Sequence, residues 1–219
     1  MRSHHKSYIQ NIEIFNYRLR CYVAPQRTTK KYMATKNVTK TMQADTYTPM
    51  VLDMTAIEEA KRSIDQGAIT PSYGPWRDDI VKLLNDSLAT ELVCVLRYKR
   101  HYYTAAGLSS PKIADEFLVH ANEESEHADR IAQRIVQLGG EPDFSPDSLA
   151  KRSHADYNDA LDLKTMIKAN LVAERVAIES YTQMIALIGD KDPTTKRLIE
   201  DILSTEQEHA DELKDWLTA

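Results

Sequence analysis

The sequence predicts an all-α fold: one four-helix bundle with a long crossover between its second and third helices. A short helix and a flexible basic N-terminal tail precede the bundle. Three observations predict it. Only 6 Gly and 8 Pro occur in 219 residues, and most of them mark breaks between segments rich in Ala, Leu, Ile, Glu and Lys, a composition that favours helix. Four long stretches repeat apolar residues at helical spacing. Two Glu-x-x-His units, Glu124–His127 and Glu206–His209, sit in the second and fourth of these stretches. On a helix, i and i+3 share a face, so each unit aims one carboxylate and one imidazole at the same place.

The elements follow in order. Residues 1–54 are read as a flexible extension. Residues 1–50 carry nine Lys/Arg against two acids, whereas the remainder carries 19 against 31. The polar stretch around Lys30, Lys31, Lys36 and Lys40 cannot bury much apolar surface. A short helix around Tyr8–Tyr22 is the one regular element the tail offers, and Met33 and Met42 are alternative starts of the native chain. Residues 55–219 form the folded domain. Thr55-Ala56-Ile57-Glu58 reads as a capping box, and Gly67 as a stop, for a helix over about 56–66.

After the breaks at Pro71, Gly74 and Pro75, segment A runs over about 76–106. Its apolar stripe is Ile80, Leu83, Leu84, Leu88, Leu92, Val95 and Leu96. Segment B covers about 111–138 and ends at Gly139-Gly140. Segment C covers about 160–188 and stops at Gly189, and segment D runs from Asp192-Pro193 to about Leu217. Short loops make A–B and C–D antiparallel hairpins. The link from Glu141 to Ala160 is long enough to cross the bundle, with a short helix possible in Ser148–Asp156.

The chemistry lies on the inward faces. Glu91 falls in phase with Leu84 and Leu88 on segment A, and Glu174 falls among Ile167, Leu171, Ala177 and Ile178 on segment C. Glu91 precedes Glu124 by 33 residues and Glu174 precedes Glu206 by 32, so the two hairpins read as a pseudo-twofold repeat. A buried carboxylate is costly unless paired or bound to a cation. Four of them in one core call for about +4 of compensating charge, which two divalent cations supply. Glu124 and Glu206 are placed to bridge two metals, with Glu91 and His127 terminating one and Glu174 and His209 the other. Mixed carboxylate and imidazole ligands suit iron, manganese or zinc rather than calcium. Tyr98 and Tyr181 each lie seven residues after the single glutamates, on the ligand face. They are either partners of the ligands, Tyr98 above all as a hydrogen-bond or electron donor, or core tyrosines with satisfied hydroxyls. Glu123, Glu126, Glu208 and Glu212 read as solvated positions.

Composition excludes several classes. No apolar run reaches the ~18 residues of a membrane span, and the start lacks a signal-peptide pattern. Cys21 and Cys94 make neither a disulfide framework nor a zinc cluster. A cytoplasmic protein is expected.

Residues 76–217 resemble the bacterioferritin-type members of the ferritin-like superfamily. The resemblance rests on Glu91-Leu92-Val93 with Tyr98, on Glu124-x-x-His127-Ala128-Asp129-Arg130, on Glu174 and on Glu206-x-x-His209. The turn Leu138-Gly139-Gly140-Glu141-Pro142 is also similar. A glutamate from each of two helices plus Glu-x-x-His from each of the other two is the known ligand pattern of such di-iron bundles. The resemblance implies a ferroxidase with two iron ions per subunit. It would oxidise Fe(II) with O2 or H2O2 and store Fe(III) inside a homo-oligomeric cage. Family members carry a haem-ligating Met directly after the bridging glutamate of the second helix. Ser125 stands there in this chain, which argues against haem. The ending at Ala219, without a fifth helix, and the long crossover look more like the Dps-like proteins that keep a bacterioferritin-type site, so a 12-mer is favoured over a 24-mer. Two other functions fit the residues: DNA binding and protection through the basic tail, or a non-storage di-metal peroxidase or catalase.

Overall fold

The computed structural model describes residues 49–107 and 110–218. Residues 1–48, which include the predicted Tyr8–Tyr22 helix and the basic stretch, lie outside the described residues. The chain divides into Met1–Pro49 and Met50–Ala219, and only the second unit is described below.

That unit is all-helical: α1 (Met54–Ala60), a 3-10 turn (Ile64–Gln66), α2 (Trp76–Thr104), α3 (Ser110–Gln137), α4 (Pro146–Arg152), α5 (Leu163–Ile188) and α6 (Pro193–Thr218). α2 packs on α3 and α5 on α6 as two hairpins, and the pairs meet through α2–α5 and α3–α6 contacts. The four long helices match segments A to D. The first helix differs from expectation. Asp53, not Thr55, caps it, accepting from the Thr55 and Ala56 amides at 2.9 and 3.1 Å. The α-helix ends at Ala60, and the stretch up to Gln66 continues only as the separate 3-10 turn. An Asp at the cap position accepts both amides directly, which leaves the reciprocal Thr/Glu arrangement nothing to satisfy.

The helix ends are set by local chemistry. Asp162 caps α5 by accepting from the Thr165 amide at 2.8 Å. Gly189 ends α5 at φ +53°, a conformation that disfavours residues with a Cβ. Gly140 allows the chain to leave α3 close against α2, because a Cβ there would lie 2.6 Å from the Val81 side chain.

The crossover carries its short helix as α4, earlier than Ser148–Asp156, because Pro146 opens it at a position where a missing N–H costs nothing. The crossover is pinned along α2. Asn85 bonds the backbone at Glu141 and Asp143, Thr90 accepts from the His154 amide, and Arg97 donates to the Asp156 carbonyl. α2 is therefore covered on more than its bundle face, and Thr90, Cys94 and Arg97 are all buried. Leu96, assigned to the apolar stripe, is 53% exposed instead.

A buried ion pair locks the start of α6. Arg134 of α3 donates to both Asp192 oxygens at 2.9 Å, to Thr195 Oγ1 at 2.8 Å and to the Tyr73 hydroxyl at 3.0 Å. Asp192 also caps α6 through the Thr195 amide at 3.0 Å. Asp192→Ala leaves the guanidinium buried without its carboxylate, and we expect a loss of about 3–5 kcal/mol. Urea denaturation would check this; a loss under about 1 kcal/mol would contradict it.

Candidate metal centre

Each inner face of the bundle delivers one carboxylate, or one carboxylate and one imidazole, to a common point. Glu91 comes from α2, Glu124 and His127 from α3, Glu174 from α5, Glu206 and His209 from α6. All six are buried, none more than 3% exposed. Their ligating atoms form two quartets: Glu91, Glu124, His127 and Glu206, and Glu124, Glu174, Glu206 and His209, each with atoms within 4.8 Å of one another.

Glu124 and Glu206 belong to both quartets, and their oxygens are divided between them. Glu124 Oε2 lies 3.7 Å from His127 Nδ1 and its Oε1 lies 3.7 Å from His209 Nδ1. Glu206 turns Oε1 to His127 Nδ1 at 3.0 Å and Oε2 to His209 Nδ1 at 3.4 Å. The single glutamates each serve one side: Glu91 Oε2 is 3.6 Å from His127 Nδ1, and Glu174 Oε2 is 3.9 Å from His209 Nδ1.

The two tyrosines cross between hairpins. Tyr98 of α2 donates to Glu174 Oε1 of α5, and Tyr181 of α5 donates to Glu91 Oε1 of α2. Each hydroxyl holds one oxygen of a single glutamate and leaves the other facing an imidazole. Burial first, then the charges of Glu174 and Glu124, pushes the Tyr98 hydroxyl well above its ordinary pKa, so it remains a donor.

Electrostatics explain why this arrangement asks for cations. Burial, reinforced by Glu124 and Glu206, raises the Glu91 carboxyl well above the usual range. Burial and the Glu124 charge raise Glu174 to about 8. Glu124 is held low despite its burial, by the neighbouring Glu91, His127 and His209 side chains. Burial alone would lower the imidazoles, but their carboxylate neighbours push His127 up to about 12 and His209 also upward. Polar atoms at the centre still lack hydrogen-bond partners: Glu91 Oε2, Glu124 Oε1, both oxygens of Glu206, and Nδ1 of both histidines. Buried polar atoms are normally satisfied. Six such atoms converging on one point fit the donor set of a pair of transition-metal ions.

Three residues of the surroundings were not foreseen from sequence. Glu123, read as solvated, accepts from His209 Nε2 at 2.8 Å, which leaves Nδ1 of that ring free to face the centre. Glu212, also read as solvated, contacts His120 Nε2 at 3.0 Å. His120 itself is buried, with Nδ1 3.2 Å from the Tyr98 hydroxyl and its ring stacked on His209 at 4.0 Å. Its i−4 spacing from Glu124 was the available signal. Glu126 and Glu208 are exposed.

A ferritin-like domain model matches residues 81–219, a range that contains all six residues. Bacterioferritin of Desulfovibrio desulfuricans is 27% identical over 131 residues, 59% of this chain and 69% of that protein. Bacterioferritin of Mycobacterium leprae is 26% identical over 140 residues, 64% and 84% of the two chains. Among solved structures, a dodecameric thioferritin, the bacterioferritin-related protein from Bacteroides fragilis, superposes with a TM-score of 0.63 at 30% identity, over 73% of this chain and 94% of that one. Dps from Thermosynechococcus elongatus shares the fold, with a TM-score of 0.62 at 22% identity over 64% and 90% of the chains. Among the described residues, no helix is long and apolar enough to cross a membrane.

Proposed function

Because this chain belongs to the ferritin-like family, we propose that it is a ferroxidase that holds two iron ions per subunit and stores the oxidised iron in a homo-oligomeric shell. The observation that carries this reading is the division of the Glu124 and Glu206 oxygens between two imidazoles, with Glu91 and Glu174 each closing one side. Glu124 and Glu206 would hold both ions, Glu91 and His127 would complete one position, and Glu174 and His209 would complete the other.

The side chains have separable tasks. Four carboxylates set the charge that two divalent cations neutralise, so ions of +2 are retained and monovalent ions are not. Tyr98 and Tyr181 orient the terminal glutamates and restrain them from swinging. Glu123 holds His209 in the tautomer whose Nδ1 is a ligand. The apolar packing of Leu84, Leu88, Ala128, Ile131 and Ile202 encloses the bundle interior on one side, and that of Tyr98, Phe117, Ala121 and Met166 on the other. Together they limit water at the centre. When bound, the iron pair supplies the two electrons that reduce O2 or H2O2.

Twelve subunits are proposed for the shell. The similarity to the dodecameric protein of Bacteroides fragilis supports that number, and Ser125, at the position of the family's haem-ligating Met, supports a shell without haem. Native mass spectrometry of the full chain, with metal analysis, tests both parts. The expected result is a 12-subunit particle with at least two irons per chain before mineral loading. A monomer or dimer that binds no iron would overturn the proposal.

A further inference from the structure

The ligands of the two hairpins are paired by pseudo-symmetry, but their surroundings are not. Moving from α3 to the matching positions of α6, Glu116 corresponds to Leu198 and His120 to Ile202, while Glu212 on α6 corresponds to Arg130 on α3. On the Glu91 side, then, the bundle places two apolar residues and one cation. Ile202 is fully buried in the core. On the Glu174 side the same places hold two carboxylates and an imidazole. Glu116, His120 and Glu212 offer ligand atoms that all lie within 4.8 Å of one another.

We propose that Glu116, His120 and Glu212 form a third divalent-cation site, beside the Glu174–His209 half of the metal centre and open to solvent. The chemistry is that of a first-row transition ion, with one imidazole and two carboxylates as ligands. His120 Nε2 and Glu212 Oε2 lie 3.0 Å apart. Two ligands at about 2.0–2.2 Å from one ion and at right angles to each other have that separation. His120 is 1% exposed, and its ring is fixed by stacking on His209 and by the contact of Nδ1 with the Tyr98 hydroxyl. With Nδ1 carrying its hydrogen toward Tyr98, Nε2 is the nitrogen presented to an ion. The carboxylates differ from the buried ones of the centre. The Glu212 side chain is 50% exposed, Glu116 is half-buried, and Glu116 makes no hydrogen bond or ion pair among the described residues.

A partly exposed three-ligand site of this kind exchanges its ion, whereas the enclosed centre retains one. Its position makes it a waiting place for Fe(II) on the Glu174 side only. The ion there would be linked to the centre through the contacts His120–Tyr98–Glu174 and His120–His209.

The test is anaerobic titration of the full-length protein with Co(II), counted by native mass spectrometry, and anomalous diffraction from cobalt-soaked crystals. Wild type should hold three ions per chain, with one anomalous peak between Glu116, His120 and Glu212. His120→Leu should hold two; the counterpart Ile202 indicates that the bundle accepts an aliphatic residue there. Glu212→Gln, at an exposed position, should weaken the third ion at least tenfold and leave the other two unchanged. If wild type and His120→Leu both hold two ions, or both hold three, the third site is overturned and the two-ion centre stands. If wild type holds a single ion that His120→Leu loses, the third site stands and the two-ion centre falls.

Discussion

Glu124→Ala is expected to lower the rate of Fe(II) oxidation by at least about 100-fold, with the fold intact. Altering residues that merely orient metal ligands typically costs 10–100-fold in affinity or activity. Glu124 is closer to the chemistry than that. It contributes one oxygen to each quartet, so its loss strips both metal positions at once and removes one of the two groups that hold them at a fixed separation. Stopped-flow absorbance of Fe(III) formation measures the effect. Glu126→Ala provides the control two residues away, on the exposed side of the same helix, and should stay within about twofold of wild type. An oxidation rate for Glu124→Ala within about threefold of wild type would show that the chemistry occurs elsewhere.

The bundle and the convergence of the six residues were legible because both depend on periodicity. Glu91 and Glu174 lie in phase with apolar residues, and a helix has no choice but to aim them inward with Leu88 and Ala177. The matched spacings then bring the two Glu-x-x-His units to the same depth. What periodicity cannot register is a face covered by something other than a bundle helix. The crossover runs down the outside of α2, so Arg97 is fully buried, with its guanidinium bonded to Asn170, Cys94 and the Asp156 carbonyl. No apolar stripe marks that contact. The stripe itself misplaced Leu96, because one helical face was taken to do all the burying.

Polar partners across helices were illegible for a related reason. Glu123 and Glu212 are half-exposed and sit among other acids, where most are solvated. Only the placement of His209 and His120 opposite them, from another helix, gives them partners. Arg134 and Asp192 are 58 residues apart in the chain, and nothing local in either segment announces that they meet. The first helix failed on a finer point: Asp53 and Thr55 are both good caps, and two residues of offset decide which amides are within reach.

The second large effect concerns stability and has opposite signs with and without metal. In the metal-free protein, Glu91 and Glu174 are both pushed upward by burial and by the neighbouring carboxylates, so the empty centre is electrostatically frustrated. Glu206 accepts no hydrogen bond at either oxygen. Glu206→Gln removes one charge from that cluster at constant volume. Glu206 is one of the like charges that push Glu91 and Glu174 upward, and removing it relieves that repulsion, so the metal-free variant should melt at or above the metal-free wild type.

With metal the order reverses. A ligand that binds only the folded state stabilises it by about 4 kcal/mol at 1,000 times its Kd, and the wild type has two positions to fill. Glu206 contributes to both, so the variant loses most of that increment. Thermal unfolding in excess chelator and in excess Co(II), which avoids turnover, supplies the four measurements. A substitution that merely opened a cavity would lower both melting temperatures, and one that merely relieved repulsion would raise both. Only a residue whose charge is there to hold cations raises one and lowers the other. A wild type whose melting temperature ignores Co(II) would remove the cations from the account altogether.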